Sequence, residues 1–149
     1  MSLIFSRQCE YALQAVLYMS AQPKAKYTNI NEISERLRLP RPFLGKTLQL
    51  LVKGKVLSSL KGPNGGFRLE KGPREIALFH IVDAIDGTDF MTSCVLGFPE
   101  CSSKNPCPMH SEWGHLRDGV YQTLANKTIA DISKEIAQSK QLRSKLRLG

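Results

Sequence analysis

The sequence predicts a mainly α-helical fold with one small β-hairpin. Three observations predict it. Apolar residues recur at helical spacing through most of the chain, two short β-prone runs flank a glycine-rich turn at residues 61–66, and residues 88–107 show no period. The 149 residues suffice for one domain with a real core and one further long helix. No run approaches the roughly 18 apolar residues of a membrane span, and residues 1–7 are not patterned as a signal peptide. A cytoplasmic location is the expectation.

Leu13, Val16, Leu17 and Ser20 stand at i, i+3, i+4 and i+7, so residues 8–21 read as a helix that Pro23 ends. Ile30, Ile33 and Leu37 mark a second, short helix with Thr28 or Asn29 as its N-cap. Leu39-Pro40-Arg41 is a tight connection. Pro42 suits the first position of a third helix, which buries Leu44, Leu48 and Leu51 and stops near Gly54. Two short helices joined by a few residues, the second one basic, read as a helix-turn-helix. Val56–Leu60 and Phe67–Leu69 are strand candidates on either side of Lys61-Gly62-Pro63-Asn64-Gly65-Gly66, and a hairpin directly after a helix-turn-helix is a wing. Leu78, Ile81, Val82 and Ile85 define a fourth helix, closed by Gly87.

After the aperiodic loop, Trp113, Leu116, Val120 and Leu124 make a long amphipathic helix. Thr128-x-x-Asp131 resembles a capping box ahead of Ile129, Ile132 and Ile136, which form a short closing helix. The expected organisation is a winged helix-turn-helix domain over 1–87, a cysteine loop over 88–110, a dimerisation helix and short closing helix over 111–137, and a basic flexible tail over 138–149. The long helix is assigned to dimerisation because the small N-terminal module offers it little surface, and helix-turn-helix proteins commonly read two half-sites as symmetric dimers.

Charge divides the chain in the same way. Residues 22–76 carry 12 Lys and Arg against 4 Asp and Glu, whereas residues 77–137 carry 4 against 8. The net charge of +8 therefore sits in the first half and in the tail, an electrostatic footprint for nucleic acid on one half only. Glycines at the wing tip let the backbone approach a phosphate closely, with Lys61 and Arg68 beside it.

The cysteine half carries Cys94-x6-Cys101-x5-Cys107-x2-His110. In a reducing compartment, clustered thiols are more often metal-binding or redox-active than disulfide-bonded. Three thiolates hold an iron–sulfur cluster once one more ligand completes the set. Zinc also accepts three Cys and one His, although the wide gaps contain no C-x2–4-C knuckle. Lys104, near Cys101 and Cys107, lowers a thiol pKa in a third reading, a bare thiol switch. Incidental cysteines are the fourth. Cys9, on the first helix, reads as a small buried hydrophobe, and His80 and His115 as structural. No Cys-x-x-Cys motif, His/Glu metal pair or phosphate loop favours an enzyme.

The order helix, helix-turn-helix, wing with Lys61-Gly62-Pro63-Asn64-Gly65-Gly66-Phe67, helix with Ile81-Val82-Asp83-Ala84-Ile85, three-cysteine loop and long helix resembles the IscR/NsrR-type winged-helix transcription regulators, over about residues 3–137. The resemblance implies a DNA-binding homodimer, typically a repressor, that binds a pseudo-palindromic operator. It implies a 2Fe–2S or 4Fe–4S cluster on Cys94, Cys101 and Cys107, responsive to redox state, nitric oxide or cluster supply. It offers two fourth ligands: His110, or Glu10 on the first helix of the partner subunit. The matched DNA-contact positions are Arg41 and Lys46 on the third helix and Lys61, Asn64 and Arg68 on the wing. The first cysteine gap is six residues where familiar members have five, and the extra residue falls in a loop, where insertion is tolerated. The alternative is a cluster-free regulator that senses oxidants with bare thiols.

Overall fold

The computed structural model describes residues 4–148. Helix α1 (Arg7–Ser20) starts at Ser6, whose hydroxyl accepts the Cys9 N–H at 3.0 Å. Ala12, Ala15, Val16 and Met19 bury one of its faces against the helices that follow. Helix α2 (Ile30–Leu37) is capped by Asn29, which accepts the Asn31 N–H at 2.7 Å. It ends at Arg38 in the left-handed conformation, φ 55°. Ser34 closes the turn: its hydroxyl donates to the Leu39 carbonyl at 2.6 Å, and its own carbonyl accepts the Leu39 N–H at 3.0 Å. Helix α3 (Arg41–Lys53) follows at once and buries Leu44, Leu48 and Leu51 completely. Pro40 occupies the cap, so Pro42 stands one position further in than the sequence suggests. An N–H there has no intrahelical partner to lose, so the proline is tolerated.

Strands β1 (Leu57–Leu60) and β2 (Gly66–Leu69) pair antiparallel, with Leu57 opposite Leu69 and Leu60 opposite Gly66. A bridge from Thr28 extends this sheet. Thr28 and Phe67 exchange both backbone hydrogen bonds, at 2.8 and 2.9 Å. The hairpin is thereby fastened to the chain just ahead of α2, which fixes the wing relative to α3.

Helix α4 (Leu78–Asp86) ends at Gly87. Helix α5 (His110–Asn126) is the longest, and α6 (Ile129–Gln138) begins with a complete capping box: Thr128 Oγ accepts the Asp131 N–H at 3.2 Å while Asp131 accepts the Thr128 N–H at 3.0 Å. The closing helix, expected to accompany the long one, packs into the N-terminal core instead. Ile129 is fully buried with Ile33, Leu48 and Ile76, and its N–H donates to the Ile76 carbonyl at 2.8 Å.

The last segment also departs from expectation. Residues 138–149 read as a basic flexible tail, yet α7 (Lys140–Lys145) forms and Leu146 is only 8% exposed, joined to the main core. Leu142, Leu146 and Leu148 interrupt the cations, and burying Leu146 gives the segment a hydrophobic anchor. A second apolar cluster of Cys9, Val82 and Leu124, with Phe79, Phe90 and Val120 against it, ties α1, α4 and α5 together. Between α4 and α5 the loop contains one 3-10 turn, Asp89–Met91. Among the described residues, no helix is long and apolar enough to cross a membrane.

Candidate functional site

The cysteine loop is held at its two ends and once between them. At its start, Asp86 closes α4 and accepts hydrogen bonds from the Ser6 N–H, at 2.9 Å, and the Ser6 hydroxyl. At its finish, His110 is the first residue of α5. Between them the Ser93 carbonyl accepts two bonds from the long helix, from Trp113 Nε1 at 3.3 Å and Arg117 Nη1 at 3.2 Å. His110, Trp113 and Arg117 are spaced i, i+3 and i+7, so one stripe of α5 forms a wall of the pocket that the cysteines line. Cys94 therefore enters the site from a backbone that the helix pins one residue earlier.

The structure brings Cys94, Cys101 and Cys107 together. Their Sγ atoms all lie within 4.8 Å of one another, with Cys94 and Cys107 at 3.5 Å. His110 Nδ1 is 3.4 Å from Cys101 Sγ. All four cysteines of the chain are free thiols. The pocket between the three clustered thiols is small, about 10 Å³, room for one water-sized sphere.

Partial burial raises the Cys94 thiol pKa, but the Phe98 and Leu96 N–H groups and the Cys107 and Cys101 thiols outweigh it and bring it down to about 7. Burial and the neighbouring thiols raise Cys107 above its ordinary value, against the Met109 N–H. The groups that lower Cys94 are thus loop amides first and the neighbouring thiols second; Lys104 is not among the causes at Cys94 or Cys107. Cys9 lies outside the site. Burial, Asp86 and Glu10 push it up to about 12, so it behaves as the small buried hydrophobe that its place on α1 implies. His80 Nδ1 accepts the Ala77 N–H at 3.0 Å, a structural role. Glu10 is half-buried on α1 and, within one chain, does not line the pocket.

The candidate DNA contacts divide. Arg41 opens α3 and is exposed, as is Lys46 one turn later. Lys61 and Asn64 are exposed at the wing tip. Arg68 is half-buried and stacks over the Tyr27 ring, 4.3 Å from its centroid, so it braces the base of the wing. Sequence reasoning missed Trp113 and Arg117 as site residues. Their signal is available as helical spacing from His110, but Trp113 also fits the apolar stripe of the long helix, and nothing local distinguishes Arg117 from an ordinary helix cation.

Comparison with known proteins agrees with this architecture. The family model described as Rrf2, iron-dependent transcriptional regulator, matches residues 5–135. A protein of Aquifex aeolicus named as an HTH-type transcriptional regulator is 33% identical over 132 residues, 87% of this chain and 91% of its own length. The HTH-type transcriptional regulator IscR of Escherichia coli is 30% identical over 122 residues, 82% of this chain and 75% of its own length. The solved structure of CymR (YrzC), the global cysteine regulator of B. subtilis, superposes with a TM-score of 0.76 at 19% identity, covering 90% of this chain and 98% of that one.

Proposed function

The chain belongs to the Rrf2 family of transcriptional regulators, and on that premise we propose that it is a cytoplasmic, homodimeric repressor whose operator affinity is set by an iron–sulfur cluster. Cys94, Cys101 and Cys107 are its thiolate ligands. The fourth is His110, or Glu10 of the partner subunit. The observation that carries this reading is the convergence of three thiols from an otherwise irregular loop, with His110 at the start of α5 beside one of them. The donor chemistry fits: soft thiolates and an imidazole are ligands such clusters use. When bound, the cluster supplies one-electron redox chemistry and lability toward oxidants.

The chain's own residues account for transmission. Ser93 is bonded to Trp113 and Arg117, so a displaced loop pulls on two turns of α5. Val120 and Leu124 of that helix pack with Cys9 of α1, and α1 packs on α3, the reading helix. A change at the cysteines therefore reaches the DNA-reading helix through packed side chains. Arg41 and Lys46 meet the major groove of a pseudo-palindromic operator, and Lys61 and Asn64 reach the backbone or minor groove from the wing.

Anaerobic purification tests the proposal. A brown protein with iron and sulfide in equal amounts, whose operator affinity changes on cluster loss, is the expected result. A colourless protein that takes up neither on reconstitution refutes it. The 3.5 Å Cys94–Cys107 separation favours one second reading, a thiol switch. There a peroxide takes two electrons and two protons from the two thiols, leaving a disulfide and water. Peroxide-dependent operator release by iron-free protein, lost in Cys107→Ser, would support it.

A further inference from the structure

We infer that Arg117 is the charge-compensating residue of the cysteine pocket, donating its buried Nε–H to a sulfur of the cluster held there. The inference rests on the cluster reading of the site and adds a residue that no ligand count includes. Arg117 lines the same pocket as the three thiols and His110. One guanidinium nitrogen, Nη1, is spent on the Ser93 carbonyl at 3.2 Å. Its Nε is buried and has no hydrogen-bond partner. Among the described residues no carboxylate forms an ion pair with it.

The side chain as a whole is half-buried, but its Nε–H is a buried donor left unpaired, which costs the desolvation of that group. Such a group in a native fold calls for an ordered water, another acceptor or an anion at the site; a water answers the donor alone, an anion the charge as well. The thiols do not supply it as they stand. Cys94 and Cys107 face each other, Cys101 faces His110, and none lies within bonding distance of Nε. A bare divalent ion offers no acceptor and repels the guanidinium. A cluster brings sulfur acceptors and, with three thiolates, net negative charge. Hydrogen bonds to the sulfurs and local net charge are two of the factors that set cluster reduction potentials. Arg117 therefore favours the reduced, more negative state.

Arg117 also anchors Ser93, so the test must separate charge from anchoring. Trp113→Phe removes the other donor to the same carbonyl and leaves the guanidinium in place. Wild type, Arg117→Gln, Arg117→Lys and Trp113→Phe would be reconstituted with iron and sulfide, then titrated redox-spectroscopically and challenged with a ferrous chelator. Arg117→Gln should shift the potential negative and lower the chelator concentration that strips half the iron by roughly tenfold, the ratio expected for one charge-assisted hydrogen bond. Arg117→Lys, which keeps the charge, should restore much of the potential and guards against a folding defect in the glutamine variant. Trp113→Phe should leave the potential near wild type. A glutamine variant equal to wild type in both readouts overturns the inference while leaving the cluster reading intact, as does a Trp113→Phe variant that reproduces the glutamine shifts. A wild type that takes up zinc alone, or nothing, overturns both.

Discussion

Gly66→Ala should cost this protein about 3 kcal/mol, and two separate causes produce that figure. Gly66 has φ 154°, a conformation in which side chains are strained, at roughly 1–3 kcal/mol. An alanine Cβ there would also lie 2.3 Å from the Thr28 carbonyl oxygen, a backbone atom that cannot swing aside. Relief means displacing the Thr28 segment, which threatens the pair of hydrogen bonds between Thr28 and Phe67, each worth about 1 kcal/mol. Gly62, at φ 108°, supplies the control. Its added Cβ meets nothing within 4 Å, so Gly62→Ala carries strain alone. Thermal unfolding at fixed protein concentration should show Gly66→Ala melting roughly 6–12 °C below wild type, and Gly62→Ala falling by less than half of that. Operator affinity should follow the same order, because the Thr28 bridge holds the wing against the reading helices. Equal losses in the two variants would refute the close-approach argument, and a Gly66→Ala protein within about 3 °C of wild type would refute both parts of it.

Further outcomes follow from the burial, contacts and charge of single residues. Leu146→Ala should destabilise by about 2 kcal/mol, the low end for a leucine at the margin of a core, read from denaturant unfolding; a solvated tail would give no change. Glu32 accepts hydrogen bonds from Tyr18 Oη at 2.8 Å and Lys26 Nζ at 2.9 Å, which outweigh its partial burial and hold its pKa below the usual 4.5. Its contribution is complete above pH 4.5 and is lost as pH falls through the depressed value, so Glu32→Gln should lie roughly 0.5–1 kcal/mol below wild type at pH 7 and converge with it in acid. The buried Tyr18, raised to about 12, works at the opposite end: its share is full below pH 10 and declines toward pH 12. Lys61→Ala should lower the slope of log operator affinity against log salt by about two in magnitude, one for each subunit of the proposed dimer, equally across operator variants. A variant with unchanged slope would remove Lys61 from the phosphate contacts.

The elements with strong local rules were legible in the sequence. The wing is the clearest: glycines at 62, 65 and 66 between two β-prone runs have few other uses, and Gly62 and Gly66 adopt backbone angles that β-branched neighbours could not. The helix starts were equally readable, because Asn29 and Thr128 satisfy orphan N–H groups with their own side chains. What failed was decided by partners distant in sequence. Residues 138–149 look like a tail because charge dominates any local window; only the core surface that receives Leu146 makes them structural. The closing helix went to the wrong neighbour for the same reason: its bond from Ile129 to Ile76 spans over fifty residues of chain.

The candidate site was legible as chemistry and illegible as geometry, and the reason lies in α5. Three cysteines and a histidine declare a soft donor set by identity alone. The wall behind them does not, because Trp113 and Arg117 satisfy the ordinary expectations of an amphipathic helix. Only when Ser93 is seen accepting from both does that stripe become part of the site. The arrangement also explains how a loop without regular structure can present ligands in register. Its first cysteine follows a carbonyl held by two donors, its last lies three residues before a helix start, and its interior amides turn toward the Cys94 sulfur. The thiols thus borrow their order from a rigid helix. On the cluster reading proposed above, signal and scaffold meet on the first two turns of α5, so substitutions at Trp113 and Arg117 should change the response of operator affinity to cluster loss even where both forms still fold. Operator titrations of holo- and apo-protein for each variant read that response directly; a holo-to-apo affinity ratio equal to wild type in both would show that the signal leaves the loop by another route.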